Sequence, residues 1–169
     1  MKKEARILIG VFAVFIVFSS AVTVRTEEIS CFYCGMKKSE YGHSWMIVNY
    51  NDHSTGEFCS LHCACIDMLM HGEKTAATVL VADYYTKKFI EADQAFWIIG
   101  GGKPGVMTTR AKWAFEIKTA AQRYIEESGG EPSDYETVVK AAMEDMYQDM
   151  MMIQKERKIK RDKMIKGNQ

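Results

Sequence analysis

Residues 31–36 carry two thiols and a thioether, those of Cys31, Cys34 and Met36. Thiolate and thioether groups are soft ligands that together select Cu(I), whereas zinc and iron–sulfur clusters take thiolates alone. Side chains two residues apart on an extended segment point to the same side, so Cys34 and Met36 can face one ion. Gly35 lets the backbone between them bend closely around that ion. The spacing therefore predicts a metal site and favours copper as the metal.

Three more cysteines follow in a second short segment, at Cys59, Cys63 and Cys65. The pairs Cys31/Cys34 and Cys59/Cys63 are separated by 24 residues. Two such pairs around a β-hairpin are the treble-clef way of building a four-sulfur metal site. This spacing predicts that zinc is an alternative or additional metal.

The ligand set of the second segment is ambiguous, because His62 and Cys65 lie beside Cys59 and Cys63. Structural disulfides are the ordinary use of cysteine in an oxidising compartment, although an odd number of cysteines leaves one thiol over. The candidates for an additional metal site are Cys31, Cys59, Cys63, Cys65 and His62. For the cysteines, disulfide formation stays open as the alternative.

The pattern of elements that must position these residues predicts an α+β fold. β-branched and aromatic residues over 42–50 predict a strand, and turn-forming residues at 51–56 predict a hairpin. Ser60 can cap a helix that Gly72 ends. Further strands are predicted at 78–85, within 89–99 and at 111–117, before a helix at 119–128. The metal-binding domain, 31–130, is thus predicted to consist of two related ββα halves, 31–73 and 78–130.

A charged, methionine-rich helix is predicted beyond this domain, at 134–166, because the segment lacks proline and glycine. Acidic residues dominate 126–149, and seven bases with two acids occupy 155–166. Met143, Met146 and Met150 share one helical face. Two interpretations stay open: an apolar stripe packed on the domain, or a copper-handling tail whose basic end contacts anionic lipid.

Residues 1–24 are typical of an export signal or an N-terminal anchor. Lys2, Lys3 and Arg6 precede an apolar run at 7–18, which small residues follow. We therefore expect the protein in the periplasm or another extracytoplasmic space, with attachment to the membrane if the leader is retained.

Several function classes are disfavoured by composition and motif content. The formal net charge of zero argues against nucleic acid as a partner. No catalytic triad, phosphate loop or paired carboxylates stand in a convincing context, so we expect no enzymatic activity. A thiol–disulfide oxidoreductase using Cys31 and Cys34 would need this motif at a helix start, and no helical pattern follows it. A zinc-stabilised interaction module using Cys31, Cys34, Cys59 and Cys63 is the stronger alternative.

Three motifs together resemble the NosL family. They are Cys34-Gly35-Met36, then Phe58-Cys59-Ser60 at a helix start, then Gly105-Val106-Met107 at the end of a glycine-rich loop. A strand, a helix and Gly129-Gly130 follow in the same order, so the resemblance spans about residues 31–140. The cysteine pattern is also similar to the small metal-binding treble-clef domains called TRASH.

The NosL resemblance implies an extracytoplasmic copper chaperone, an accessory protein of nitrous-oxide reductase. It implies two related α+β halves, with Cu(I) between a Cys-x-Met motif and a distant methionine. Matched by motif, these ligands are Cys34, Met36 and Met107. The implied partner is a copper-receiving enzyme or a membrane copper-delivery complex.

Overall fold

Two antiparallel sheets and a long helix make up the computed structural model of this protein, which describes residues 28–167. The leader predicted at 1–24 lies outside the described residues. The strands, in chain order, are β1 (Met46–Tyr50), β2 (Thr55–Phe58), β3 (Ala76–Ala82), β4 (Phe89–Glu91), β5 (Phe96–Ile99), β6 (Lys112–Phe115) and β7 (Glu131–Ser133). The helices are α1 (Lys38–Tyr41), α2 (Leu61–Met70), α3 (Lys118–Ser128) and α4 (Tyr135–Gly167), with a 3-10 turn at Gly42–Ser44.

The first sheet has the strand order β2-β1-β3-β4 and is antiparallel throughout. Alternate residues of β1, namely Met46, Val48 and Tyr50, are buried, as expected for a strand with one face on the core. Helix α2 follows β2 directly and packs on the β1–β2 hairpin. This hairpin and helix are the predicted first ββα unit.

The second sheet has the order β6-β5-β7, and α3 packs on β5 and β6. Because β5, β6 and α3 repeat the order of β1, β2 and α2, the predicted α+β fold with two related halves is confirmed. Strands β3 and β4 pair with the first sheet, although the sequence-based division at residue 78 grouped most of that segment with the second half.

One continuous core joins the two sheets. The Tyr84 backbone N–H donates to the Ala114 carbonyl at 2.9 Å, and the Asp83 carboxylate accepts from the Glu116 N–H at 2.8 Å. The largest fully buried side chains come from both halves: Trp45, Met46, Phe58, Trp97, Ile98, Phe115 and Tyr124. The two halves therefore share their interior.

The chain departs from the predicted strand at 42–50, because residues 42–44 form the 3-10 turn and the strand begins only at Met46. The Ser44 hydroxyl, which lies in this turn, donates to the Cys59 carbonyl at 2.7 Å. The turn thus positions the backbone of one of the cysteines.

Helix α4 confirms the predicted long C-terminal helix. The Asp134 carboxylate accepts from the Thr137 N–H at 2.8 Å, which is an ordinary N-terminal cap. The first half of α4 packs on α2 and β5, with Val138, Ala142 and Asp149 buried, and residues 154–166 are exposed. Among the described residues, none of the helices is both long enough and apolar enough to span a bilayer.

Candidate metal centre

Four cysteine sulfurs meet at one point, those of Cys31, Cys34, Cys59 and Cys63, and all lie within 4.8 Å of one another. The Cys34 and Cys59 sulfurs are 3.4 Å apart, and the Cys59 and Cys63 sulfurs 3.7 Å apart. Four sulfurs at about 2.3 Å from a central zinc would stand about 3.8 Å from one another. The cluster therefore has the size of a tetrahedral thiolate site for a single ion.

The first cysteine pair is positioned by a tight turn. The Gly35 N–H donates to the Cys31 carbonyl at 2.9 Å, and the Cys31 N–H donates to the Met36 carbonyl at 2.8 Å. Gly35 has a φ of +73°, in the left-handed region that glycine enters without steric cost. The turn brings both sulfurs of the Cys-x-x-Cys motif to the same side.

The second pair stands at the start of α2. Cys59 follows the last residue of β2, Ser60 occupies the position before the helix, and Cys63 lies in its first turn. Because β2 ends against β1, the β1–β2 hairpin fixes where this helix begins. The predicted treble-clef arrangement, a cysteine turn, a hairpin and a helix start, is what the structure contains.

Asp67 ties the cysteine turn to α2. The Tyr33 hydroxyl donates to one oxygen of the Asp67 carboxylate at 2.8 Å, and the Tyr50 hydroxyl donates to the other. Burial, together with the Asp67 carboxylate, raises the pKa of Tyr33 to about 12. The phenol therefore stays a donor at neutral pH, and it holds the turn between Cys31 and Cys34 against the helix.

The four thiols interact strongly with one another. The pKa of the Cys31 thiol lies far below its ordinary value, because the thiols of Cys34, Cys59 and Cys63 donate to its sulfur. The pKa values of Cys59 and Cys63 are raised, because each donates toward Cys31 and because both are buried. Without a cation the cluster can hold little negative charge, and a bound cation would let the remaining thiols ionise.

Cys34, Met36 and Met107 line one pocket of about 400 Å³. All three side chains are partly buried against the core, and Met107 is 71 residues beyond Met36 in the chain. Cys34 thus belongs both to the four-sulfur cluster and to the pocket wall. The fold brings the three residues predicted as copper ligands to the surface of the same cavity.

The loop that carries Met107 is held in an uncommon conformation. Met107 has a φ of +60°, a left-handed backbone that residues other than glycine seldom adopt. A side chain at Gly105 would come within 2.7 Å of the Thr108 carbonyl oxygen, so the loop closes tightly on itself. The Thr109 N–H donates to the Asp149 carboxylate at 3.1 Å, which fastens the loop to α4.

Asp149 also binds His62, one of the candidate ligands. The His62 Nδ1 and the Asp149 carboxylate are 3.2 Å apart, and both side chains are almost fully buried. Burial lowers the pKa of His62, so its neutral ring donates the Nδ1 proton to the carboxylate. Asp149 thereby joins α2, the Met107 loop and α4 at one point, and His62 lies outside the four-sulfur cluster.

Cys65 also lies outside the four-sulfur cluster. It is fully buried on α2, and burial raises the pKa of its thiol to about 12. All five cysteines are free thiols in this structure. Sequence reasoning missed the role of Asp149, because nothing in its neighbourhood along the chain indicates a partner 87 residues away.

The fold and the sulfur cluster define an α+β protein with a cysteine-rich metal site. The sequence model of one family, NosL, matches residues 22–143. The chain therefore belongs to the NosL family, and the resemblance inferred from its motifs is confirmed.

A solved structure has the same fold. It is the crystal structure of the copper chaperone NosL from Shewanella denitrificans, with a TM-score of 0.56 and 22% sequence identity. The match covers 67% of this chain and 91% of that chain. No curated protein matches this chain.

Replacement of Asp149 tests its role in joining the three segments. Asp149→Ala leaves the His62 Nδ1–H and the Thr109 N–H buried without an acceptor. We expect the free energy of unfolding to fall by about 3 kcal/mol, measured by urea denaturation. Glu144→Ala removes an exposed carboxylate from the same helix and should change the free energy of unfolding by less than about 0.5 kcal/mol. An equal loss of stability in the two variants would contradict the role of Asp149 in joining the three segments.

The connection between Tyr33 and Asp67 can be tested by hydrogen exchange. Tyr33→Phe removes the hydroxyl that holds the cysteine turn on α2. We expect faster exchange of the Gly35 amide, which is bonded within this turn, and a stability loss of about 1 kcal/mol. Tyr85→Phe is the matched control, since the Tyr85 hydroxyl reaches only an exposed glutamate. An unchanged exchange rate at the Gly35 amide would show that the turn is stable without the Tyr33–Asp67 hydrogen bond.

Proposed function

We propose that this protein is an extracytoplasmic Cu(I) chaperone whose cargo ligands are Cys34, Met36 and Met107. The observation that carries the proposal is that these three soft donors line one open pocket, although Met107 is distant in the sequence. Membership of the NosL family supports copper as the cargo. So does the solved structure with the same fold, which is that of a copper chaperone.

The donor set suits a cargo site. One thiolate and two thioethers form a soft, low-coordinate site that favours Cu(I) and disfavours hard cations such as Mg²⁺ and Ca²⁺. Cys34 is the partly exposed member of the sulfur cluster, so its thiolate can be reached from the pocket. A donor or acceptor protein can then supply a ligand to the open side of the ion. Copper would move by ligand exchange, in which one Cu–S bond forms as another breaks and Cu(I) keeps its oxidation state.

The pocket also offers a charged rim for a partner protein. Lys37 and Glu40 stand on one side, and Glu156, Arg157 and Lys160 line it from α4. The recipient we propose is a copper enzyme such as nitrous-oxide reductase, or a membrane copper-delivery complex, as the family resemblance implies. The leader at 1–24 supports an extracytoplasmic site of action, with membrane attachment if it is retained.

The oxidoreductase alternative is weaker on geometric grounds. Reactive cysteines of that class are partly exposed and stand at a helix start. Here Cys31 is buried, and its Cys-x-x-Cys motif lies in a turn rather than at a helix start. The sulfurs of Cys31 and Cys34 both belong to the four-sulfur cluster. A carrier that exchanges ligands needs no catalytic group, so we propose a protein without enzymatic activity.

Competition for Cu(I) against a chromophoric chelator tests the ligand assignment, using the full chain in mild detergent under anaerobic, reducing conditions. We expect Met36→Leu and Met107→Leu each to weaken Cu(I) binding at least tenfold, or about 1.4 kcal/mol, because each loses one thioether. Cys34→Ala should weaken it further, since it removes the only thiolate of the proposed cargo site. Met146→Leu is the matched control, a partly buried methionine on α4 that does not line the pocket.

Two outcomes would contradict the assignment. Unchanged Cu(I) affinity in both Met36→Leu and Met107→Leu would exclude these thioethers as ligands. A loss in Met146→Leu equal to theirs would instead assign copper handling to the methionine-rich face of α4.

A further inference from the structure

The outward face of α4 carries an apolar patch that the domain leaves uncovered. The patch consists of Met143, Tyr147, Met150 and Met151, whose spacing places them on one side of the helix. Their side chains are between 39% and 63% exposed, so the described part of the chain does not cover them. The domain contacts the other side of α4, where Asp149 is buried. An exposed apolar patch bordered by polar residues is typical of an interaction surface.

The charges along this face are arranged symmetrically about Met151. Glu144 and Lys158 stand seven positions to either side of it, and Lys140 and Asp162 stand eleven positions to either side. Seven and eleven residues are close to two and three whole turns of an α-helix, so these side chains share the face of Met151. Each pair combines an acid with a base, and all four charged side chains are exposed.

This arrangement is complementary to a second copy of itself. In an antiparallel pair of α4 helices with Met151 at the midpoint, Glu144 of one helix stands opposite Lys158 of the other. Lys140 stands opposite Asp162 in the same way, and the two-fold symmetry duplicates each contact. Within one helix Lys140 and Glu144 form an ion pair at 4.0 Å, so the contacts would join into a network of alternating charge. A parallel pair would instead place like charges side by side, which is destabilising.

The rest of the molecule leaves room for such a pair. Ile153 and Lys160, which line the pocket of the proposed cargo site, lie on the side of α4 turned away from Met151. Two paired chains would therefore hold their domains on opposite sides of the helix pair, with both pockets open.

The second half of α4 also lacks the packing that usually stabilises a helix. Residues 154–166 are all exposed. Helices in proteins gain most of their stability from packing one face against another element. A second α4 helix laid along this face would supply that packing.

We propose that α4 pairs antiparallel with α4 of a second copy of this chain, with Met151 at the two-fold axis. Tyr147 and Met151 form the apolar centre of the contact, and the acid–base pairs on both sides determine its direction and register. The pairing goes beyond the proposed function and does not depend on copper.

Zero-length carbodiimide cross-linking of the full chain in mild detergent tests the register. This reagent joins a carboxylate directly to a lysine amine, so the two groups must be in contact. Within one helix Glu144 and Lys158 are about 21 Å apart, and Lys140 and Asp162 are about 33 Å apart, so neither link can form inside one chain. We expect both links in peptides from the covalent dimer, identified by mass spectrometry. Absence of both links would overturn the pairing.

Charge reversal tests the same contact through the dissociation constant of the dimer, measured by analytical ultracentrifugation in mild detergent. We expect Lys158→Glu to weaken the dimer at least about tenfold, because it places two acids opposite each other at both symmetric contacts. The double variant Glu144→Lys/Lys158→Glu should regain most of the affinity. Lys163→Glu is the matched control, since it makes the same change of charge on a side of α4 turned away from Met151.

Three outcomes would overturn the proposal. The first is a monomeric chain at all concentrations, and the second is an equal loss of dimer affinity in Lys158→Glu and Lys163→Glu. The third concerns lipid, the other partner that suits a basic helix end. Loss of the Glu144–Lys158 link on addition of vesicles containing anionic phospholipid would assign the basic end of α4 to the membrane surface. Retention of the link on these vesicles would support the pairing.

Discussion

Repulsion between buried negative charges is the constraint on which the site depends. Four thiol sulfurs lie within 4.8 Å of one another, and three of the four cysteines are buried away from water. Several thiolates cannot be buried side by side without compensation, so the cluster must keep its protons or gain a cation. The flanking turn, hairpin and helix start are each stabilised by their own hydrogen bonds. The fold therefore determines where the sulfurs are, and their protonation or metal binding balances the charge.

Cys34 lies at the edge of this cluster and belongs to two groups of sulfur atoms. On one side its sulfur faces Cys59 within a closed group, and on the other it lines a pocket with Met36 and Met107. The other three cysteines of the cluster are buried, whereas Cys34 is partly exposed, so its sulfur is the member of the cluster that can be approached from the pocket.

Helix α4 forms part of the wall of the pocket that Cys34, Met36 and Met107 line. Its Asp149 accepts hydrogen bonds from Thr109 and His62, so one buried carboxylate fixes both the Met107 loop and the helix that carries Cys63. The left-handed backbone at Met107 costs of the order of 1–3 kcal/mol and persists only where neighbouring contacts stabilise it. Asp149 supplies one such contact. The acidic first half of α4 is therefore part of the framework of the site, while its exposed basic end reaches the pocket rim.

The sequence alone determined the local units of this protein: the Cys-x-x-Cys turn, the hairpin, the helix that begins after Ser60, and the two ββα halves. These follow from patterns a few residues long, because turn propensity, strand alternation and helical periodicity act between near neighbours. It also indicated the family through Cys34, Met36 and Met107. Only the tertiary structure decided that Cys63 joins the cluster while Cys65 and His62 do not, that β3 and β4 complete the first sheet, and that Asp149 fixes the Met107 loop. The contacts of Asp149 join residues 40 and 87 positions apart, and such contacts form only when packing brings distant segments together.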